Sequence, residues 1–191
     1  MQLVEFLILI IGIALALVYV KENFTEVEFV KSKVDGRSYL VRNMPDRQQA
    51  ADLLARLAVK LEKLIDHMVE KYPEDKEVNY MKQNYNPENI SEGSEDTNYT
   101  SYSVNKGEKI VFCIRSRDGK NTLVDENTLV YVAVHELAHL MTKEVGHTDR
   151  FWKNFKRLLK EAVKLGMYNK VNYAEKPVEY CGIKITSTVL N

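Results

Sequence analysis

The chain has 191 residues, and its 27 Lys and Arg balance 27 Asp and Glu to a formal net charge of zero. That balance excludes a nucleic-acid binder held by a broadly basic surface, and 45% hydrophobic against 28% charged residues exclude a disordered chain. Two cysteines, Cys113 and Cys181, are too few for a disulfide-dense scaffold or a Cys-only zinc site, and they read as separate buried thiols.

Residues 3–20 read LVEFLILIIGIALALVYV, with Glu5 as their one charge. As a helix this run spans about 27 Å, enough for a hydrocarbon core. It lacks the basic n-region of a secretory signal, and its apolar residues cover every face, unlike a core helix with one polar stripe. A transmembrane anchor over residues 1–21 is therefore expected, followed by one domain over 22–191. Lys21, Lys31, Lys33 and Arg37 follow the run and no basic side chain precedes it, which places the domain on the cytoplasmic side. Three sequons, at Asn23, Asn89 and Asn98, point the other way.

Past the anchor, Val27–Lys33 and Arg37–Arg42 flank Val34-Asp35-Gly36, which is a hairpin signal. Asn43-Met44-Pro45-Asp46 opens a helix with apolar residues at Leu53, Leu54, Leu57, Leu61, Leu64, Ile65 and Met68, and Pro73 stops it near Tyr72. His67 points away from that stripe and is expected at the surface. Residues 73–98 are polar and read as a long mobile loop. Strands follow at Thr100–Val104 and Lys109–Arg115, the second a candidate edge for pairing with an extended peptide. A second long helix is expected over Asp125–Val145, ended by Gly146. A third begins at Thr148 or Asp149 and ends at Gly166, and a last strand covers Gly182–Leu190. These elements predict an α+β fold, with a small antiparallel sheet packed on the second helix and two further helices.

Three of the four histidines fall on or just after that second helix. In His135-Glu136-Leu137-Ala138-His139 the two histidines, four apart, share a helix face and can reach one ion, while Glu136 lies to one side, near an ion-bound water. A catalytic zinc takes three protein donors. His147, just past Gly146, is the candidate third ligand, with Glu161 and Glu175 as rivals. Such a site activates water with Glu136 as general base and needs an oxyanion donor. Tyr168, Tyr173 and Tyr180 are the phenols within reach, and Tyr180 is the most promising of them.

The HELAH segment, then Gly146-His147 and Phe151-Trp152, resembles the minimal zinc metallopeptidases of the WLM, SprT/Spartan-like and YgjP-like group. The resemblance spans roughly Lys109 to Leu165. It implies zinc bound by His135, His139 and His147, Glu136 as base, and Phe151 and Trp152 as packing residues that set the third histidine. The expectation is a membrane-anchored, zinc-dependent peptidase acting on protein or peptide substrates, held in the bilayer by residues 3–20 and making no direct nucleic-acid contact. A zinc-stabilised binding module without hydrolytic activity and a nucleic-acid-associated protease, using the basic Lys153–Lys164 helix, are the alternatives.

Overall fold

The computed structural model describes residues 3–95 and 99–190. The apolar run forms α1 (Leu3–Phe24), whose residues 3–20 are exposed and are long and apolar enough to cross a membrane by length and composition. The Asp-Gly hairpin forms as expected. β1 (Val27–Lys31) pairs antiparallel with β2 (Ser38–Arg42). Asp46 then precedes α2 (Arg47–Lys71), so Pro45 lies just ahead of the helix, not in its first turn. The apolar stripe of α2 is buried throughout, with Leu54, Leu57 and Ile65 fully enclosed. Each such side chain contributes about 1.5–3 kcal/mol by leaving water.

Over the described residues 73–95 the expected mobile loop is instead a helix, a short turn and a strand. Asp75 caps α3 (Lys76–Asn84) by accepting from the Glu77 and Val78 amides, and a short 3-10 turn at Pro87–Asn89 leads into β3 (Ile90–Glu92). Most of the segment's polar residues lie on exposed faces, while Val78, Met81 and Ile90 reach the core and Ser91 and Glu92 are buried with them. Asn98, with its sequon, lies outside the described residues. The Asn89 side-chain amide donates to the Gly107 carbonyl at 2.8 Å, so that sequon is committed to the fold.

β3 pairs parallel with β2 and with β5 (Lys109–Phe112), and β5 pairs antiparallel with β4 (Ser101–Val104). The five-stranded sheet runs β1-β2-β3-β5-β4. It is mixed, not antiparallel, because α2 and α3 supply the long crossover that a parallel β2–β3 pair requires. β5 is interior and β4 is the edge, which corrects the expected edge strand. In the β4–β5 turn, Gly107 has φ 116° and packs so closely that a Cβ there would meet the Asn84 carbonyl oxygen at 2.2 Å.

α4 (Glu126–Met141) is capped by Asp125 and ends four residues before Val145, because Thr142 turns to an extended conformation. Gly146 therefore lies in the connecting loop. α5 (Asp149–Lys164) is capped by Thr148, as its sequence indicates, and buries Phe151, Phe155, Leu158 and Leu159 against α4. The tail is a two-stranded hairpin of β6 (Val178–Tyr180) and β7 (Ile183–Ile185), not one long strand. Cys113 and Cys181 form a disulfide across 68 residues, so they are not separate thiols.

Candidate metal centre

His135 and His139 stand one turn apart on α4, and the loop after α4 returns His147 to them. A ligand nitrogen from each of the three lies within 4.8 Å of the others. His135 Nε2 and His147 Nε2 are 3.0 Å apart, close to the spacing of about 3.3 Å that a tetrahedral ion 2.0–2.1 Å from each nitrogen imposes. Phe151 packs against all three rings, with His139 stacked on it at 4.3 Å. Trp152 stacks on His147 but stays half-exposed, so it orients that ring without belonging to the core.

The electrostatics suit metal binding. Burial, then the nearby His139 and His147, push the His135 imidazole down to about 3. Burial, then His147 and Lys106, push His139 down to about 4. Both rings are neutral near pH 7 and keep a lone pair free for a cation. Glu136 is buried beside them. Burial pushes its carboxyl up to about 7, against a hydrogen bond with Ser103 that pulls it down.

The rivals for the third position fall elsewhere. Glu161 is held by Lys71, Lys164 and His67. Burial would raise its carboxyl, but those partners hold it down to about 2. His67, expected at the surface, is partly exposed there and lies 3.0 Å from this buried carboxylate. Glu175 is exposed in the tail. Tyr180 reaches the cleft, yet its hydroxyl donates to the Cys113 carbonyl at 2.7 Å and sits 2.8 Å from Ser101 Oγ, so its proton is already committed. Tyr168 and Tyr173 belong to an aromatic cluster around Tyr131.

Sequence reasoning missed Lys106. From the β4–β5 turn its ammonium donates to the carbonyls of His139, Thr142 and Glu144, closing the C-terminal end of α4 where the ligands sit. Thr142 Oγ1 in turn accepts from the buried Asn154 amide at 3.0 Å, fixing α5 to the same end. A cleft of about 780 Å³ opens over the cluster, between β4, α4 and the tail hairpin.

The family model of the Phycodnaviridae minor capsid protein P4 matches residues 18–188. The chain belongs to this family. Uncharacterized protein R325 of Acanthamoeba polyphaga mimivirus is 33% identical to it over 192 residues, covering 98% of this chain and 97% of that protein. Uncharacterized protein 136R of Invertebrate iridescent virus 6 is 38% identical over 82 residues, covering 42% of this chain and 44% of that protein. No solved structure matches this chain.

The family match corrects the functional expectation. A minor capsid family over residues 18–188, with a viral relative along nearly the whole chain, points to a structural part of a virus particle. It overturns the expected metallopeptidase, with its hydrolase chemistry, its peptide substrates and its role for Glu136 as general base. The nucleic-acid-associated protease alternative falls with it. The spacing of His135, Glu136 and His139 describes a place for an ion, and the same geometry serves a scaffold as well as an enzyme.

Proposed function

We propose that this protein is a structural component of a virus particle. In this reading α1 holds it to a lipid membrane, its domain packs with other capsid proteins, and zinc bound by His135, His139 and His147 fixes the α4–α5 junction. The family match over residues 18–188 carries the reading. Quantitative mass spectrometry of gradient-purified particles tests it. The chain is expected to sediment with the major capsid subunit at a constant ratio and to be released by detergent. Recovery only from infected-cell membranes, with none in particles, would overturn it.

Zinc in this reading is a brace. The loop from Lys143 to His147 is exposed and is tied back by Lys106 at the Glu144 carbonyl, and an ion joining His147 to the two α4 ligands would further hold the start of α5. The purified protein should carry close to one zinc per chain by elemental analysis, and His147→Ala should lose most of it while remaining folded. Wild-type protein that takes up no zinc from saturating solution would sink the assignment.

Orientation rests on two opposed observations. The basic residues after α1 favour the cytoplasmic side, whereas a closed disulfide is the habit of oxidising compartments. A capsid protein meets both environments, one during synthesis and the other in the released particle.

A further inference from the structure

The tail hairpin is fastened over the cleft chiefly around Tyr180 and Cys181. β6 and β7 pair with each other and form a sheet separate from the main one. The hairpin contributes Tyr180, Ile183 and Ile185 to the wall of the cleft, facing His135, Glu136 and His139. Among the described residues it is attached by the Cys113–Cys181 bond, by the Tyr180 hydroxyl on the Cys113 carbonyl and 2.8 Å from Ser101 Oγ, by Cys181 Sγ 3.2 Å from the Arg115 carbonyl, by the Tyr131 hydroxyl on the Ser187 carbonyl at 3.2 Å, and by the burial of Tyr180 and Leu190. Most of these contacts involve Tyr180 or Cys181.

The two ends of the disulfide are unequal. Cys113 follows β5, and its amide donates to the Thr100 carbonyl and to Ser101 Oγ, so it is fixed to the sheet. Cys181 lies in the turn of the tail hairpin with φ 50°, followed by Gly182 with φ 82°. A tight turn with positive φ at both central residues favours Asn-Gly or Asp-Gly, and cysteine rarely adopts this conformation. The cross-link holds Cys181 in a backbone state that its own preferences do not supply.

We propose that the Cys113–Cys181 bond is a redox latch that closes the tail hairpin over the three-histidine cleft. In the reduced chain the hairpin stands away and the cleft is open. Closure is a thiol–disulfide exchange with a low-molecular-weight disulfide. One cysteine thiolate attacks it and expels a thiol, and the second cysteine attacks the mixed disulfide and expels another. Two electrons pass to the external disulfide, and the two cysteine protons leave on the released thiols. The reducing cytosol keeps the latch open during synthesis, and an oxidising medium around a finished particle closes it. This goes beyond the capsid reading and does not require an ion in the site.

Hydrogen exchange read by mass spectrometry tests the latch on the full chain in detergent micelles. The oxidised protein is compared with protein reduced by a dithiol and then alkylated, each with and without a zinc chelator. Exchange over residues 178–185 is expected to quicken at least tenfold on reduction, while α2 amides stay protected over the same labelling times. Cys181→Ser should reproduce the open pattern without reductant. Two results would overturn the proposal: tail exchange within twofold of the oxidised protein in both reduced and Cys181→Ser forms, or equal acceleration of α2, which would make the bond a support of the whole domain. If the chelator alone changes zinc content and not tail exchange, the latch stands whatever becomes of the zinc assignment.

Discussion

Arg115→Ala should destabilise the domain by about 3–5 kcal/mol, the usual consequence of stripping one partner from a buried ion pair. The Arg115 side chain is 3% exposed and that of Glu92 is 1% exposed. Arg115 Nε donates to Glu92 at 2.7 Å, and one of its Nη groups reaches Asp46 at 2.6 Å. The other Glu92 oxygen accepts from the Arg42 amide at 2.8 Å. One guanidinium thus ties β3 and the segment after β5 to the start of α2. Burial pushes the Glu92 carboxyl up from the usual range, and the neighbouring cations and amide oppose it. Without Arg115 the carboxylate is left in a dry site or must take a proton. Chemical denaturation measures the loss, and adding Glu92→Gln should recover a large part of it. A single variant within 1 kcal/mol of wild type would show that the pair is solvated and not buried.

How much of this fold can be read in the sequence depends on whether the signal is local. The α2 stripe, the Asp-Gly hairpin, and the caps at Asp125 and Thr148 are short-range patterns, and each appears where its residues place it. α3 is hidden because only Val78 and Met81 of its residues are buried, and β3 because it is three residues long and two of its buried residues, Ser91 and Glu92, are polar. Its parallel pairing depends on where the α2–α3 crossover returns, which no local pattern states. The disulfide joins positions 68 apart, and two lone cysteines carry no pairing information until the tail folds back over β5.

The candidate site divides in the same way. His135, Glu136 and His139 are fixed by helical spacing, and His147 follows from the short return after α4. Lys106 looks like an ordinary turn residue beside Gly107. Its ammonium matters only once the β4–β5 hairpin lies across the end of α4. The spacing locates imidazoles and a carboxylate, and it is silent on the use a particle makes of them. The family came from similarity along the whole chain, in which the HELAH segment is a small part.

In the metal-stripped protein three cleft side chains should contribute a net acid loss on the order of 2–4 kcal/mol between pH 8 and pH 4, beside the loss that depressed carboxylates such as Glu161 begin to add toward pH 4. The buried imidazoles of His135 and His139 sit near 3 and 4, below their ordinary 6.5. Their unfolded forms therefore take protons first as the pH falls through 6.5, and stability drains away until the folded values are reached. Glu136 runs the other way. Its folded carboxyl, near 7 against an ordinary 4.5, takes a proton before the unfolded chain does, so it adds stability as the pH falls from 7 to 4.5. Two losses and one gain leave a net loss. Glu136→Gln removes the gain, and its decline from its own value at pH 8 should be roughly twice the wild-type decline. Denaturant midpoints for both proteins across this pH range measure the difference. Parallel declines would show that Glu136 stays ionised in the fold, and that the cleft holding the three histidines is wetter than its burial implies.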